Sequence, residues 1–124
     1  MTVATVEWIL LCERAEIVDD KMNLYGVHTA VISDRFPLVL ENLPFVICAT
    51  GEPDEAFSFS IQVFGEGQVA QTAEYVVQLN DGGIALRKFT IDRIVLPKPG
   101  RYSLILRGQD QNLLAHSLYF AKEK

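Results

Sequence analysis

Clusters of turn-forming residues recur at short intervals along this chain, and the stretches between them are mostly too short to hold a crossover helix. The clusters are Asp19-Asp20-Lys21, Gly51-Glu52-Pro53-Asp54, Gly65-Glu66-Gly67, Asn80-Asp81-Gly82-Gly83, Pro97-Lys98-Pro99-Gly100 and Gly108-Gln109-Asp110. Each supplies a residue that tolerates positive φ, holds φ near −65° or bonds its own backbone. Parallel α/β folds need a dozen or more residues between paired strands, usually a helix. The rhythm therefore points to antiparallel strands in a sandwich or barrel.

The intervening segments carry the matching pattern. Phe57, Phe59, Ile61 and Val63 share one face, with Ser58, Ser60 and Gln62 on the other. Tyr75, Val77 and Leu79 oppose Glu74 and Gln78, and Tyr102, Leu104 and Leu106 oppose Arg101, Ser103 and Arg107. A period of two with one apolar face is what a strand in a two-layer sandwich requires. Leu43 to Ala49 is almost wholly apolar, which suits a central strand covered on both sides with Pro44 at its start. From Ile84 to Leu96 the apolar positions run 84, 86, then 89, 91, then 94, 96, so a bulge or a bend between sheets is expected there. Val6 to Ile17 fits both periods. Read as a strand whose one face holds Val6, Trp8, Leu10 and Cys12, it turns at Asp19-Asp20-Lys21 into a hairpin with Met22 to His28.

With 124 residues the chain is the size of one domain, and no linker, repeat or low-complexity tract divides residues 1–124. No apolar run approaches a membrane span, and the first residues lack the basic and apolar regions of a signal peptide. A cytoplasmic protein is expected. Cys12 and Cys48 both sit in apolar runs and read as free buried thiols rather than as a disulfide framework.

Catalytic chemistry finds little to work with. His28 and His116 are the only imidazoles, and His116 is in phase with Leu114, Leu118 and Phe120, as a core or rim residue would be. Zinc prefers close pairs of ligands, whereas the soft candidates stand apart at 12, 28, 48 and 116. Gly65-Glu66-Gly67 lacks the lysine and the helix of a phosphate cradle and reads as a hairpin turn. Asp19-Asp20 offers too few oxygens for a calcium site by itself. No catalytic residue, metal site or cofactor is assigned.

Charge is distributed unevenly. Residues 1–86 hold 13 acidic and 3 basic side chains, and residues 87–124 hold 3 acidic and 8 basic ones. Arg87, Arg93, Arg101 and Arg107 are the candidate ligands for an anion or an acidic partner, provided that they converge on one concave site. The competing expectation is a solvated face that meets acids on neighbouring strands. Nucleic acid is excluded as a partner by the net charge of −5 and by the lack of interleaved aromatic residues for stacking.

Trp8-Ile9-Leu10-Leu11-Cys12-Glu13-Arg14-Ala15, followed by Lys21-Met22-Asn23-Leu24-Tyr25-Gly26-Val27, resembles a family of small bacterial β-sandwich proteins of uncharacterised function. Its members open with an apolar run, Leu-Cys-Asp-x-Ala, a short turn and a Lys-Leu-x-x-x-Gly segment. Glu13 stands where that pattern has Asp. Phe36-Pro37 and Leu96-Pro97-Lys98-Pro99-Gly100-Arg101-Tyr102-Ser103-Leu104 also look like its later segments. The resemblance implies a β-sandwich and no activity.

The expected architecture is an all-β, antiparallel β-sandwich of about seven to nine strands in a single domain. The expected function is that of a non-enzymatic protein-interaction or assembly module, with self-association into a homodimer favoured by the opposite charges of its two parts. The alternative is a protein that binds a small molecule or anion through its basic face.

Overall fold

The computed structural model describes residues 4–18, 21–28, 30–33, 35–108 and 111–122. Ten strands follow one another: β1 (Thr5–Val18), β2 (Lys21–Val27), β3 (Ala30–Ser33), β4 (Leu38–Thr50), β5 (Ala56–Gly65), β6 (Gly67–Gln71), β7 (Tyr75–Gln78), β8 (Ile84–Leu96), β9 (Gly100–Gly108) and β10 (Gln111–Lys122). One sheet has the order β2-β1-β4-β8, and the other runs β3-β10-β9-β5-β6 with β7 also paired to β5. All pairings are antiparallel except that of β3 with β10. The protein is a β-sandwich.

Ten strands exceed the seven to nine that turn spacing suggested, for local reasons. β6 and β7 occupy one edge of β5 in succession, interrupted at Thr72–Ala73–Glu74. At the interruption the Ile61 amide donates to Thr72 Oγ1 at 2.9 Å, and the Thr72 amide donates to the Ile61 carbonyl at 2.9 Å. A side-chain hydroxyl thus stands in for a ladder carbonyl, and the edge stays satisfied without a regular strand. The short β3 carries no alternation and was not legible.

The core lies between the sheets, where the alternating segments place it. Phe59, Ile61, Val63, Val77, Leu79, Tyr102, Leu104 and Leu106 are buried, while Ser58, Ser60 and Gln62 face outward. At its centre Phe45 meets Tyr75, Phe89 and Phe59 at ring-centroid distances of 5.3, 5.6 and 6.4 Å.

Three expectations about phase require correction. A bulge between Val6 and Trp8 shifts β1 against β4, so Val6, Ile9 and Leu11 face the core, and Trp8 and Leu10 face outward. The inward positions of β8 begin with Ala85, not with Ile84 and Leu86. Further along, the phase change that separates Ile91 from Ile94 is real, but no register shift accompanies it. Both partners invert together, because Leu40 pairs with Ile94 and Leu43 with Ile91 while Asn42 takes a left-handed φ of 53°. Asparagine is among the few side chains that tolerate that conformation.

Pro44 lies well inside β4 rather than at its start. Its position is nonetheless compatible with a sheet. Pro44 pairs with Thr90, whose carbonyl accepts the Tyr75 hydroxyl at 3.0 Å and so points away from β4. The pair is therefore a non-hydrogen-bonded one, in which the missing amide of proline costs β8 nothing. On the other side, β1 pairs with β4 only as far as Phe45.

The turn before β9 is held by Tyr102. Its buried ring lies edge-on to Phe120 at 5.5 Å, and its hydroxyl donates to the Lys98 carbonyl at 2.6 Å. Tyr102→Phe keeps the ring and removes the bond, so a loss of about 1–2 kcal/mol is expected in urea unfolding. A loss below about 0.3 kcal/mol, at the low edge of what a net hydrogen bond contributes, would show that the hydroxyl does not hold the turn.

Candidate functional site

β1 is longer than the sandwich needs. Through Leu11 it pairs with β4, and from Cys12 to Val18 it pairs only with β2. The changeover is marked by the His28 amide, which donates to the Leu11 carbonyl at 2.7 Å. Gly26 enters the hairpin with φ of 62°, and a Cβ there would press on the Glu13 side chain at 2.6 Å. The turn residues Asp19 and Asp20 lie outside the described residues, as does the Gln109–Asp110 turn.

This hairpin forms an arm across the outside of the first sheet. Ala15, Met22 and Leu24 of the arm pack with Cys12 against Val46, which faces away from the core between Phe45 and Ile47. The apolar run from Leu43 to Ala49 thus has a cover on both faces, as its composition required. Burial pushes the Cys12 thiol above its ordinary pKa, with the nearby Lys88 ammonium opposing the shift. Both cysteines are free thiols, Cys12 buried and Cys48 half-buried.

The two faces of the arm differ. The inner row, Ala15, Ile17, Met22 and Leu24, points towards the sheet. The outer row carries Arg14, Glu16, Val18 and Tyr25, of which Val18 and Tyr25 are large apolar side chains left exposed; Val27, also exposed, lies beyond Gly26 and pairs with the buried Cys12. The Arg14 guanidinium stacks on the Tyr25 ring at 4.2 Å and pairs with Glu16 at 3.4 Å. Trp8 is also exposed, on the outer face of β1. Among the described residues no strand pairs with the free side of β2.

A cleft of about 480 Å³ opens where the tip of the arm meets β8, lined by Ile17, Lys21 and Met22 on one side and by Asn80 and residues 84–87 on the other. Two smaller concavities lie elsewhere among the described residues. One, of about 380 Å³, exposes Ser58, Ser60, Gln62, Glu74 and Arg107 on the outer face of the second sheet. The other, of about 260 Å³, lies between the β6–β7 interruption and Thr90–Arg93.

The four candidate arginines are therefore distributed rather than gathered. Arg87 and Arg93 stand on β8 of one sheet, and Arg101 and Arg107 stand on β9 of the other. Each pair is six residues apart, roughly 20 Å along an extended strand. Arg87, Arg93 and Arg107 line three different concavities, and Arg101 lines none of them. Arg87 donates to the Gln78 carbonyl at 3.3 Å and so joins the edge of β8 to β7. Arg93 lies across from Glu41, and Lys98 pairs with Glu66 at 2.7 Å. His116 is half-buried opposite Leu104, in the core-facing row. Among the described residues no three His, Cys, Asp or Glu side chains gather into a metal-binding group, and no helix is long and apolar enough to cross a membrane.

A family model matches residues 7–121 of this chain. The chain belongs to DUF6941, a family of unknown function. No curated protein matches the sequence. Among solved structures, the DUF6941 chain is similar to part of a β-glucosidase from Listeria innocua, crystallised in complex with isofagomine. The TM-score is 0.56 and the identity 8%, and the match covers 98% of this chain and 16% of that enzyme. The chain thus spans a small part of the length of that match, and the likeness shows the fold alone. An immunoglobulin-like protein from Pseudomonas aeruginosa aligns over 95% of this chain and 96% of its own, with a TM-score of 0.42 and 10% identity.

The β1–β2 hairpin was expected from the sequence, but its placement across the outside of the sheet was missed. Its signal was present in the apolar run 43–49, which demands a cover on both faces, and among the described residues no helix supplies one.

Proposed function

We propose that this protein is a non-enzymatic interaction module of a bacterial cytoplasm, and that it docks its partner, a second copy or another protein, on the outer face of the β1–β2 arm. The observation that carries this reading is the exposure of Val18 and Tyr25 together on one side of a hairpin whose other side is packed on the sheet. Tyrosine and arginine stacked as Tyr25 and Arg14 are, at 4.2 Å, are the residue types that dominate interface energetics. The free edge of β2 adds a row of backbone donors and acceptors that an extended segment can pair with.

The alternative, an anion bound by four arginines at once, is less well supported, since those residues line separate concavities. Self-association through opposite charges stays within the proposal, with Arg101 and Arg107 as the basic contribution. Reversing both charges tests it.

Native mass spectrometry of the protein purified gently from its own host decides the reading. The expected result is a homodimer or a complex with a second protein, lost in a Val18→Ser/Tyr25→Ser variant. Because neither side chain is buried, that variant should unfold within about 0.5 kcal/mol per substitution of the native chain. A lone monomer, or an assembly indifferent to the two substitutions, would sink the proposal.

A further inference from the structure

The cleft beneath the arm has unusual walls. Ile9, Ile47, Ile61, Ile91 and Ile94 are all buried, yet Ile17 and Ile84 are 54% and 48% exposed, and both line this one cleft. Met22 from the arm and Leu86 from β8 extend the same apolar surface, and both are half-buried. Two exposed cations, Lys21 and Arg87, share the lining with Asn80 and Ala85. Neither cation is ion-paired among the described residues. Arg87 spends hydrogen bonds on the carbonyls of Gln78 and Leu86, at 3.3 and 3.5 Å. Those acceptors are neutral, so they hold the guanidinium in place without cancelling its charge, and several of its five donors stay available. Both cations stand in a chain whose net charge is −5.

We infer that the cleft binds a small amphipathic carboxylate, with its apolar part between Ile17 and Ile84 and its carboxylate on Lys21 and Arg87. A volume of about 480 Å³ lies in the range of small-molecule sites. An inorganic anion would leave the isoleucines in water, and a neutral apolar molecule would draw water away from two charges without replacing it. Only a molecule with both characters satisfies both parts of the wall. Of the arm, the cleft uses Ile17, Lys21 and Met22 and the docking surface uses Arg14, Val18 and Tyr25, so the two share no residue and either can fail while the other stands.

Titration with decanoate below its micelle concentration, followed by backbone amide NMR, tests the assignment beside decanol and decyltrimethylammonium. Saturable shifts are expected at residues 17, 21, 22 and 84–87, with decanoate bound at least about tenfold more tightly than the ammonium, the equivalent of one charge-assisted hydrogen bond. Lys21→Glu should weaken decanoate by about tenfold or more on the same basis, with the urea midpoint unchanged because the side chain is exposed. Ile84→Glu should abolish saturation for the same ligand. Equal binding of the two head groups, shifts centred elsewhere, an undiminished affinity in Lys21→Glu or an absence of saturation would each overturn the inference.

Discussion

Phe45→Ala is expected to destabilise the protein by about 4 kcal/mol, within the range for truncating a buried phenylalanine. Phe45 is fully buried on an inner strand of its sheet and is one of the residues through which the two layers meet. Its ring lies edge-on to Tyr75 and Phe59 and tilted against Phe89, while Phe59 and Phe89 also contact each other at 5.8 Å. Removing it loses the transfer free energy of the ring and several aromatic contacts at once. It also opens a void that the strands, bonded on both sides at this position, are poorly able to close. Phe45→Leu retains most of the volume and should cost roughly 1–2 kcal/mol, mostly through lost ring contacts. Both values follow from urea unfolding of the purified chain. If alanine proves no worse than leucine, the cluster relaxes around the gap and the packing argument is wrong.

The second large effect is expected at Gly83, where two loops clasp one end of the sandwich. The Gly51 amide donates to the Gly83 carbonyl at 2.9 Å, the Asp54 amide to the Asn80 carbonyl at 3.0 Å, and the Leu79 amide to the Glu55 carbonyl at 2.8 Å. Asn80 Oδ1 accepts the amides of Gly82 and Ile84 at 2.9 and 3.0 Å, which shapes the turn locally. Gly83 has φ of 76°, and a Cβ on it would collide with the Gly51 carbonyl oxygen. Gly83→Ala therefore combines a left-handed backbone, at about 1–2 kcal/mol, with a clash against main chain, for a total loss of about 3 kcal/mol or more. Gly67→Ala separates the two terms. Gly67 also has positive φ, 101°, but a Cβ there would meet nothing within 4 Å, so only the backbone cost of about 1–2 kcal/mol should appear. Equal losses at the two positions would mean that the loops move apart freely and that the clasp is not tight.

Much of this molecule is legible because its strands obey a local rule. In β5, β7 and β9 every second position is apolar and faces the core, while the apolar residues out of phase, Phe64, Val76 and Ile105, are not buried. Where the rule broke, one-dimensional reading failed in an understandable way. The bulge after Val6 moves Trp8 to the outer face, and only pairing with β4 reveals it. The inversion at Asn42 requires two strands to flip together, which no single segment can show. The basic stretch was legible as a set of residues but not as a site. Alternation says that Arg101 and Arg107 point outward and is silent on whether Arg87 and Arg93 belong to the same sheet.

The division has a physical cause. Side-chain alternation and turn chemistry are properties of a few adjacent residues, so the chain by itself determined an all-β sandwich, the inward-facing positions of β5, β7 and β9 and most of its turns. It also required that the run from Leu43 to Ala49 be covered on both faces. Which element supplies that cover depends on contacts between residues far apart in the chain, such as Ala15 and Met22 with Val46. The tertiary structure alone decided that the β1–β2 hairpin leaves the sheet edge and lies across it. The outer row of that arm, the cleft beneath it and the separation of the four arginines all follow from that placement.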